Sequence, residues 1–98
     1  MKLSVIIPVY NEVHTIGETL SRVFQVDLPK EVIVVDDFST DGTREFLKEW
    51  VAHGVKGVQD QVRILFQQKN MGKGAALRSG FKEATGIWEE GDVGSKTF

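Results

Sequence analysis

The chain has 98 residues, a hydrophobic fraction of 41%, a charged fraction of 27% and a formal net charge of −2. These values are typical of one soluble globular domain, and they exclude the basic surface that would track nucleic acid. The absence of cysteine excludes a disulfide framework and a thiolate metal site, and the apolar runs are too short to cross a bilayer, so we expect a cytoplasmic protein whose membrane contact, if any, is peripheral.

The first part of the chain reads as a strand followed by a helix. Leu3–Val9 is a continuous run rich in valine and isoleucine, which is typical of a strand that is buried on both faces. From residue 12 to about residue 24, apolar side chains recur with the spacing of one helical face. We predict Asn11 as the N-cap of this helix.

The same pattern occurs twice more. Residues 31–36 and Val62–Phe66 form the second and third apolar runs, and helices are predicted from near Asp41 and from about residue 74 to residue 84. A strand that feeds a helix packs back with a right-handed crossover, so the three strands should be parallel. The sequence therefore predicts an α/β fold, a Rossmann-like half-sheet with strand order 3-2-1 and alternating helices.

Each predicted strand is followed by a polar or glycine-rich loop, at residues 8–12, 36–42 and 69–74. Because the carboxyl ends of parallel strands share one edge of a sheet, these loops should lie together, where open α/β sheets bind their ligands. This convergence predicts a binding site.

The individual loop residues also have structural explanations. Tyr10 can stack on a flat base or fill the top of the core, and Glu12 can simply favour a helix N-terminus. Asp37 is the stronger ligand candidate, since a carboxylate can accept hydrogen bonds from a base or a ribose, whereas Asp36 fits a structural role equally well. Lys73 can pair with a diphosphate, although its loop fails the strict P-loop and dinucleotide patterns.

Three segments carry a resemblance to a known family: residues 3–12 (LSVIIPVYNE), 34–43 (VVDDFSTDGT) and 70–80 (NMGKGAALRSG). Together they resemble the start of a family 2 glycosyltransferase with the GT-A fold. The third segment is similar to the dolichol- or polyprenol-phosphate mannosyltransferase branch. The resemblance covers residues 1–86, which would be the nucleotide-sugar-binding, N-terminal part only of such an enzyme.

The resemblance implies a site and a reaction. The implied residues for binding a nucleotide-sugar are Pro8, Tyr10, Glu12, Val35 and Asp37 around the base and ribose, with Lys73 near the phosphates. The implied parent reaction moves mannose or glucose from a GDP- or UDP-sugar to a polyprenyl or dolichyl phosphate, with inversion at the sugar carbon. A Mg or Mn ion would offset the charge of the diphosphate leaving group.

The resemblance ends after Gly86, and residues 87–98 are predicted to be a divergent, irregular tail. The family's Asp-x-Asp metal motif is missing, because Asp92 is followed two residues later by Gly94. A single carboxylate beside glycines makes a poor magnesium site, so we predict no metal site here and assign no catalytic residue. The acceptor-binding half is also absent, so we expect a truncated or frame-shifted transferase.

Two other functions remain open at this stage. The first is a catalytically inactive remnant or half-domain that binds a nucleotide, and the second is a nucleotide-binding oxidoreductase or regulatory half-domain. A strand order of 3-2-1 would also leave Leu3–Val9 as an exposed apolar edge, so we expect self-association through the first strand.

Overall fold

The computed structural model describes residues 3–26, 30–53 and 62–84 together with the backbone of residues 87–90. The elements are β1 (Leu3–Val9), α1 (Ile16–Gln25), β2 (Lys30–Asp36), α2 (Thr43–His53), β3 (Val62–Phe66), α3 (Lys73–Glu83) and β4 (Ile87–Glu90). None of these helices is long and apolar enough to span a bilayer.

The four strands form one parallel sheet in the order β3-β2-β1-β4. The predicted order of the first three strands is therefore confirmed. β1 lies in the interior of the sheet, where Val5 pairs with Val32 of β2 on one side and with Glu89 of β4 on the other.

The pairing of β4 corrects two expectations. Residues 87–90 form a strand rather than the start of an irregular tail, and Leu3 to Ile6 pair with them in register. β1 is consequently not an exposed edge, so the reason given for self-association was wrong. The side chains of residues 87–90 and all of residues 91–98, including Asp92 and Gly94, lie outside the described part.

The first helix begins four residues later than predicted, at Ile16, and its N-cap is Thr15. The prediction that Asn11 caps this helix was wrong. Asn11 adopts a left-handed backbone conformation with φ of 52°, which asparagine tolerates better than most residues. Residues 12–15 form a turn that is closed by the Ile16 N–H, which donates to the Glu12 carbonyl at 2.9 Å.

The core consists of two layers, one on each face of the sheet. On one face, alternate residues of β1 and β2 pack with α1 and α2 through Ile16, Leu20 and Leu47. On the other face, Ile6 and Ile33 pack with α3. β1 and β2 are therefore buried on both faces, as their continuous apolar runs predict, whereas β3 is only partly buried beyond Val62.

Candidate functional site

A pocket of about 120 Å³ opens at the carboxyl edge of the sheet, between the loops after β1 and β2 and the first turns of α3. Its wall is formed by Pro8, Val9, Tyr10, Glu12, Asp37, Lys73 and Ala76. The structure thus brings together five of the six site residues named from the sequence. Sequence reasoning did not single out Val9 and Ala76, which have no polar side chain to mark them.

Val35 is the sixth residue, and its side chain lies below the pocket. It is fully buried and packs in the core layer that contains Ile33 and Ala76. Because Ala76 also lines the pocket, Val35 supports the floor from beneath and is not part of the wall.

Hydrogen bonds fix the conformation of the loop after β1. The N–H groups of three consecutive residues donate to side-chain oxygens of the loop after β2 and of Thr43 at the start of α2. The pairs are Asn11 to Ser39 Oγ at 2.8 Å, Glu12 to Thr43 Oγ1 at 3.0 Å and Val13 to Asp41 Oδ2 at 3.2 Å. These bonds fix the backbone that presents Tyr10 and Glu12 to the pocket.

Asp41 connects the two loops and also caps α2. Its Oδ1 accepts the Thr43 N–H at 3.0 Å, while Oδ2 accepts the Val13 N–H. Desolvation raises the pKa of the Asp41 carboxyl, but hydrogen bonds from the Thr43 hydroxyl, the Thr43 N–H and the Val13 N–H outweigh it. The net effect places this pKa below the ordinary value of 3.8.

We expect the link made by Asp41 to fail only in acid. Because the pKa of Asp41 is lower in the folded state, the link is intact above pH 3.8 and is lost as the pH falls through the folded-state pKa. The amide NMR signals of Val13 and Thr43 should therefore shift together with a midpoint below pH 3.8, and Asp41→Asn should abolish this transition. A midpoint at or above that pH would contradict the arrangement.

The two adjacent carboxylates of the second loop point to opposite faces of the sheet. Asp36 is fully buried, and its Oδ2 accepts the Ser39 N–H at 3.1 Å and lies 3.5 Å from Arg44 Nε of α2. Asp37 faces α3 and the pocket. Asp36 is thus a structural residue. Because side chains alternate between the two faces of an extended chain, the carboxylates of Asp36 and Asp37 point apart, which lowers their mutual repulsion.

Asp37 contacts the third loop directly. Its Oδ1 accepts the Met71 N–H at 2.9 Å and its Oδ2 accepts the Gly72 N–H at 2.8 Å. Gly72 has φ of 91° and is the N-cap of α3, so no side chain caps this helix. Lys73 follows at the start of the helix and lines the pocket.

Arg44 and Phe38 form a further feature of the second loop that the sequence did not reveal. The Arg44 guanidinium lies over the rings of Phe38 and Phe66, with its central carbon 5.4 and 4.9 Å from their centroids. Phe38 has φ of 65°, a conformation in which a bulky residue is strained. The one sequence signal is that Phe38 is the single apolar residue of the otherwise polar and glycine-containing segment 36–42.

The described residues offer no group of three histidine, aspartate or glutamate side chains that could hold a metal ion. Asp36 and Asp37 diverge, and the carboxylate oxygens of Asp37 already bind backbone N–H groups. The site as described does not fit a divalent cation, so we derive no step through a metal.

Comparison with known proteins gives one consistent result. Residues 4–88 match Glycosyl transferase family 2. The chain is 39% identical over 88 residues to the dolichol-phosphate mannosyltransferase of Pyrococcus furiosus, a match that covers 88% of this chain and 23% of that protein.

Solved structures support the same conclusion. The mannosyltransferase PcManGT from Pyrobaculum calidifontis, in complex with GDP-Man and Mn²⁺, superposes with a TM-score of 0.74 at 32% identity, over 85% of this chain and 24% of that one. Residues 1–349 of S. aureus TarS, in complex with UDP, superpose with a TM-score of 0.74 at 30% identity, over 93% of this chain and 27% of that one.

The chain spans about a quarter of the length of the curated relatives that it matches. Within that span the family match and the order of the first three strands agree with the resemblance seen in the sequence. The fold is the N-terminal, Rossmann-like part of the GT-A fold, and the chain belongs to glycosyl transferase family 2.

Proposed function

We propose that the pocket binds the nucleotide part of a nucleotide-sugar donor, a GDP- or UDP-sugar. The observation that carries this proposal is the composition of a single wall, in which an exposed aromatic ring, two carboxylates and a lysine at a helix start surround one opening. An aromatic ring can stack on a flat base, a carboxylate can accept hydrogen bonds from a ribose, and a lysine can neutralise the charge of a diphosphate.

The base and ribose would lie against the first loop. The Tyr10 side chain is 46% exposed at the rim, so its ring has a free area on which a base can stack. Glu12 and Asp37 stand on the same wall and can accept hydrogen bonds from base N–H or ribose hydroxyl groups. Each oxygen of Asp37 already accepts one N–H and retains a second lone pair.

The phosphates would lie toward α3. Lys73 supplies a positive charge at the pocket wall, and α3 begins at this residue with its N-terminus next to the opening. The unsatisfied N–H groups of a first helical turn and the positive end of the helix dipole both favour an anion.

The reaction proposed for the whole protein is transfer of mannose or glucose to a polyprenyl or dolichyl phosphate. The relative from P. furiosus is named dolichol-phosphate mannosyltransferase, and the neighbour from P. calidifontis was solved with GDP-Man and Mn²⁺. A metal used in this reaction would be held outside the described residues. A lipid acceptor would place the protein on the cytoplasmic side of a membrane, as a peripheral protein.

An alternative is that this chain binds the nucleotide and transfers nothing. The carboxylates of the described residues do not fit a divalent cation, which is the observation that favours this alternative. Isothermal titration with GDP, UDP, GDP-mannose and NAD, with and without Mn²⁺, tests binding, and transfer of labelled mannose to polyprenyl phosphate tests catalysis.

The outcomes separate the functions. Saturable binding of GDP or UDP with sugar transfer supports the transferase, and binding without transfer supports the inactive remnant. A preference for NAD would favour an oxidoreductase or regulatory half-domain. If none of these nucleotides binds, the proposal is wrong.

Tyr10→Ala is expected to weaken the binding of GDP or UDP by about tenfold, because stacking of a base on an aromatic ring contributes roughly 1–3 kcal/mol. The matched control is Phe38→Ala, which removes an aromatic ring of similar exposure, 42% against 46%, that does not line the pocket. Phe38→Ala should change the nucleotide affinity by less than about twofold. Equal losses in both variants would argue against stacking on Tyr10.

A further inference from the structure

We propose that Asp37 is a positioning residue that fixes the third loop and thereby sets where Lys73 and the start of α3 meet the phosphates of the donor. This inference rests on the proposed function and assigns Asp37 a role beyond that of a ligand to base or ribose. Its main effect would be on affinity for the diphosphate.

Asp37 connects the loops around the pocket through hydrogen bonds, an arrangement that we call the clamp. The residue is 4% exposed, and its two carboxylate oxygens each accept one of two consecutive N–H groups, those of Met71 and Gly72. Its own N–H donates to the Val9 carbonyl at 2.8 Å, which anchors it to the end of β1. Asp37 therefore joins all three loops at the pocket.

The clamped segment leads directly into the phosphate end of the site. Gly72 accepts the first described helical bond of α3, from the Ala76 N–H at 3.1 Å, and Lys73 is the next residue. Gly72 holds φ of 91°, which is strained for any residue with a Cβ atom. Glycine adopts this conformation without strain, and the Asp37 carboxylate binds the loop. A substitution at Gly72 or at Asp37 should therefore displace the start of α3.

Asp37→Asn tests the clamp with little change in size. An asparagine side chain retains one acceptor oxygen and replaces the other with an N–H₂ donor, which would face a backbone N–H group. We expect hydrogen exchange at the Met71 and Gly72 amides of the nucleotide-free protein to accelerate by about tenfold or more. Asp41→Asn is the matched control, because that carboxylate also accepts backbone N–H groups but contacts the first loop; it should leave exchange at Met71 and Gly72 unchanged.

Binding then separates a positioning role from a direct contact with base or ribose. In Gly72→Ala, which leaves Asp37 and its proposed hydrogen bonds to base or ribose intact, affinity for GDP or UDP should fall by about tenfold, while affinity for guanosine or uridine, measured by ligand-observed NMR, should change by less than about twofold. Asp37→Asn should weaken the binding of the nucleosides as well, with a larger loss for GDP and UDP. An added Cβ at Gly72 contacts no other atom within 4 Å in the described part of the chain, so this variant changes only the backbone preference.

Three results would overturn the inference: unchanged exchange at Met71 and Gly72 in Asp37→Asn, equal losses for nucleoside and nucleoside diphosphate in Gly72→Ala, or normal diphosphate binding by Gly72→Ala. A thermal melt of each variant shows whether it is folded, and Gly72→Ala provides the decision if Asp37→Asn does not fold. If the unmodified protein binds no nucleotide, the proposed function fails, while the exchange measurement still decides whether Asp37 holds the loop.

Discussion

Gly80→Ala is expected to lower the free energy of unfolding by about 2 kcal/mol, because overpacking of a core costs roughly 1–3 kcal/mol and exceeds the helix-propensity gain of up to about 1 kcal/mol. A Cβ atom at Gly80 would lie 2.4 Å from Cγ2 of Ile6 and 3.4 Å from Cγ2 of Val35. Both neighbours are fully buried. Ile6 is branched at Cβ and fully buried, so few χ1 rotamers are open to it, and relief of this contact requires a rotamer change within the packed core or a shift of the strand or the helix.

Gly74→Ala is the matched control for this effect, since it makes the same chemical change in the same helix. A Cβ atom there would lie 3.5 Å from Arg78 Nη1, an ordinary contact with the mobile end of an exposed side chain. This variant should be neutral or stabilising by up to about 1 kcal/mol. Urea denaturation of the nucleotide-free variants measures both, and equal stabilities for the two variants would show that α3 does not approach β1 as closely as the structure places it.

The close approach at Gly80 also matters for the site. α3 carries Lys73 at its first residue and Gly80 seven residues later, so the contact of Gly80 with β1 fixes the distance of the helix from the sheet. A helix lifted by a methyl group would move Lys73 relative to Asp37. We expect the folded fraction of Gly80→Ala to bind GDP or UDP more weakly than Gly74→Ala does.

The sequence predicted the parts of the fold that depend on apolar periodicity. Leu3–Val9 and Val62–Phe66 have the predicted bounds. For Leu3–Val9 the reason is that a strand buried on both faces requires a continuous apolar run. The third predicted helix is present as α3, and Ala76 and Gly80 are buried on the side that faces the sheet. Topology then followed, since right-handed crossovers allow few arrangements.

The errors arose where contacts distant in sequence override a local signal. Asn11 looks like a helix cap, but Ser39 and Thr43 supply acceptors for the first-loop N–H groups, and these partners lie 28 to 31 residues away. The strand β4 ends in Glu89 and Glu90, which have low strand propensity. It still forms, because the backbone N–H and C=O groups of Leu3 to Ile6 on this side of β1 pair with it. Backbone pairing in a sheet does not require apolar side chains.

The sequence predicted which residues lie together at the site, but not the backbone groups to which they form hydrogen bonds. Topology places Tyr10, Asp37 and Lys73 at one edge, and all three line the pocket. That Asp37 accepts two N–H groups of the third loop was not predictable, because these bonds depend on the backbone conformation of Gly72. Side-chain to backbone bonds between loops leave no periodic signal.

Removal of residues 87–98 is expected to convert the chain into a self-associating species. Four residues of β1, from Leu3 to Ile6, pair with β4, and the loss of β4 would expose their backbone N–H and C=O groups along an apolar strand. Such an edge is a template for pairing with another chain. Sedimentation velocity over a range of concentrations should show dimers and larger species for residues 1–86 under conditions where residues 1–98 sediment as a smaller species.

A chain of residues 1–90 is the matched control, because it retains β4 and lacks only the residues beyond it. It should sediment like residues 1–98. All three chains share the outer edge of β3, so association through that edge would appear equally in each of them. If residues 1–86 sediment as residues 1–98 do, β4 does not protect β1 from association and the prediction is wrong.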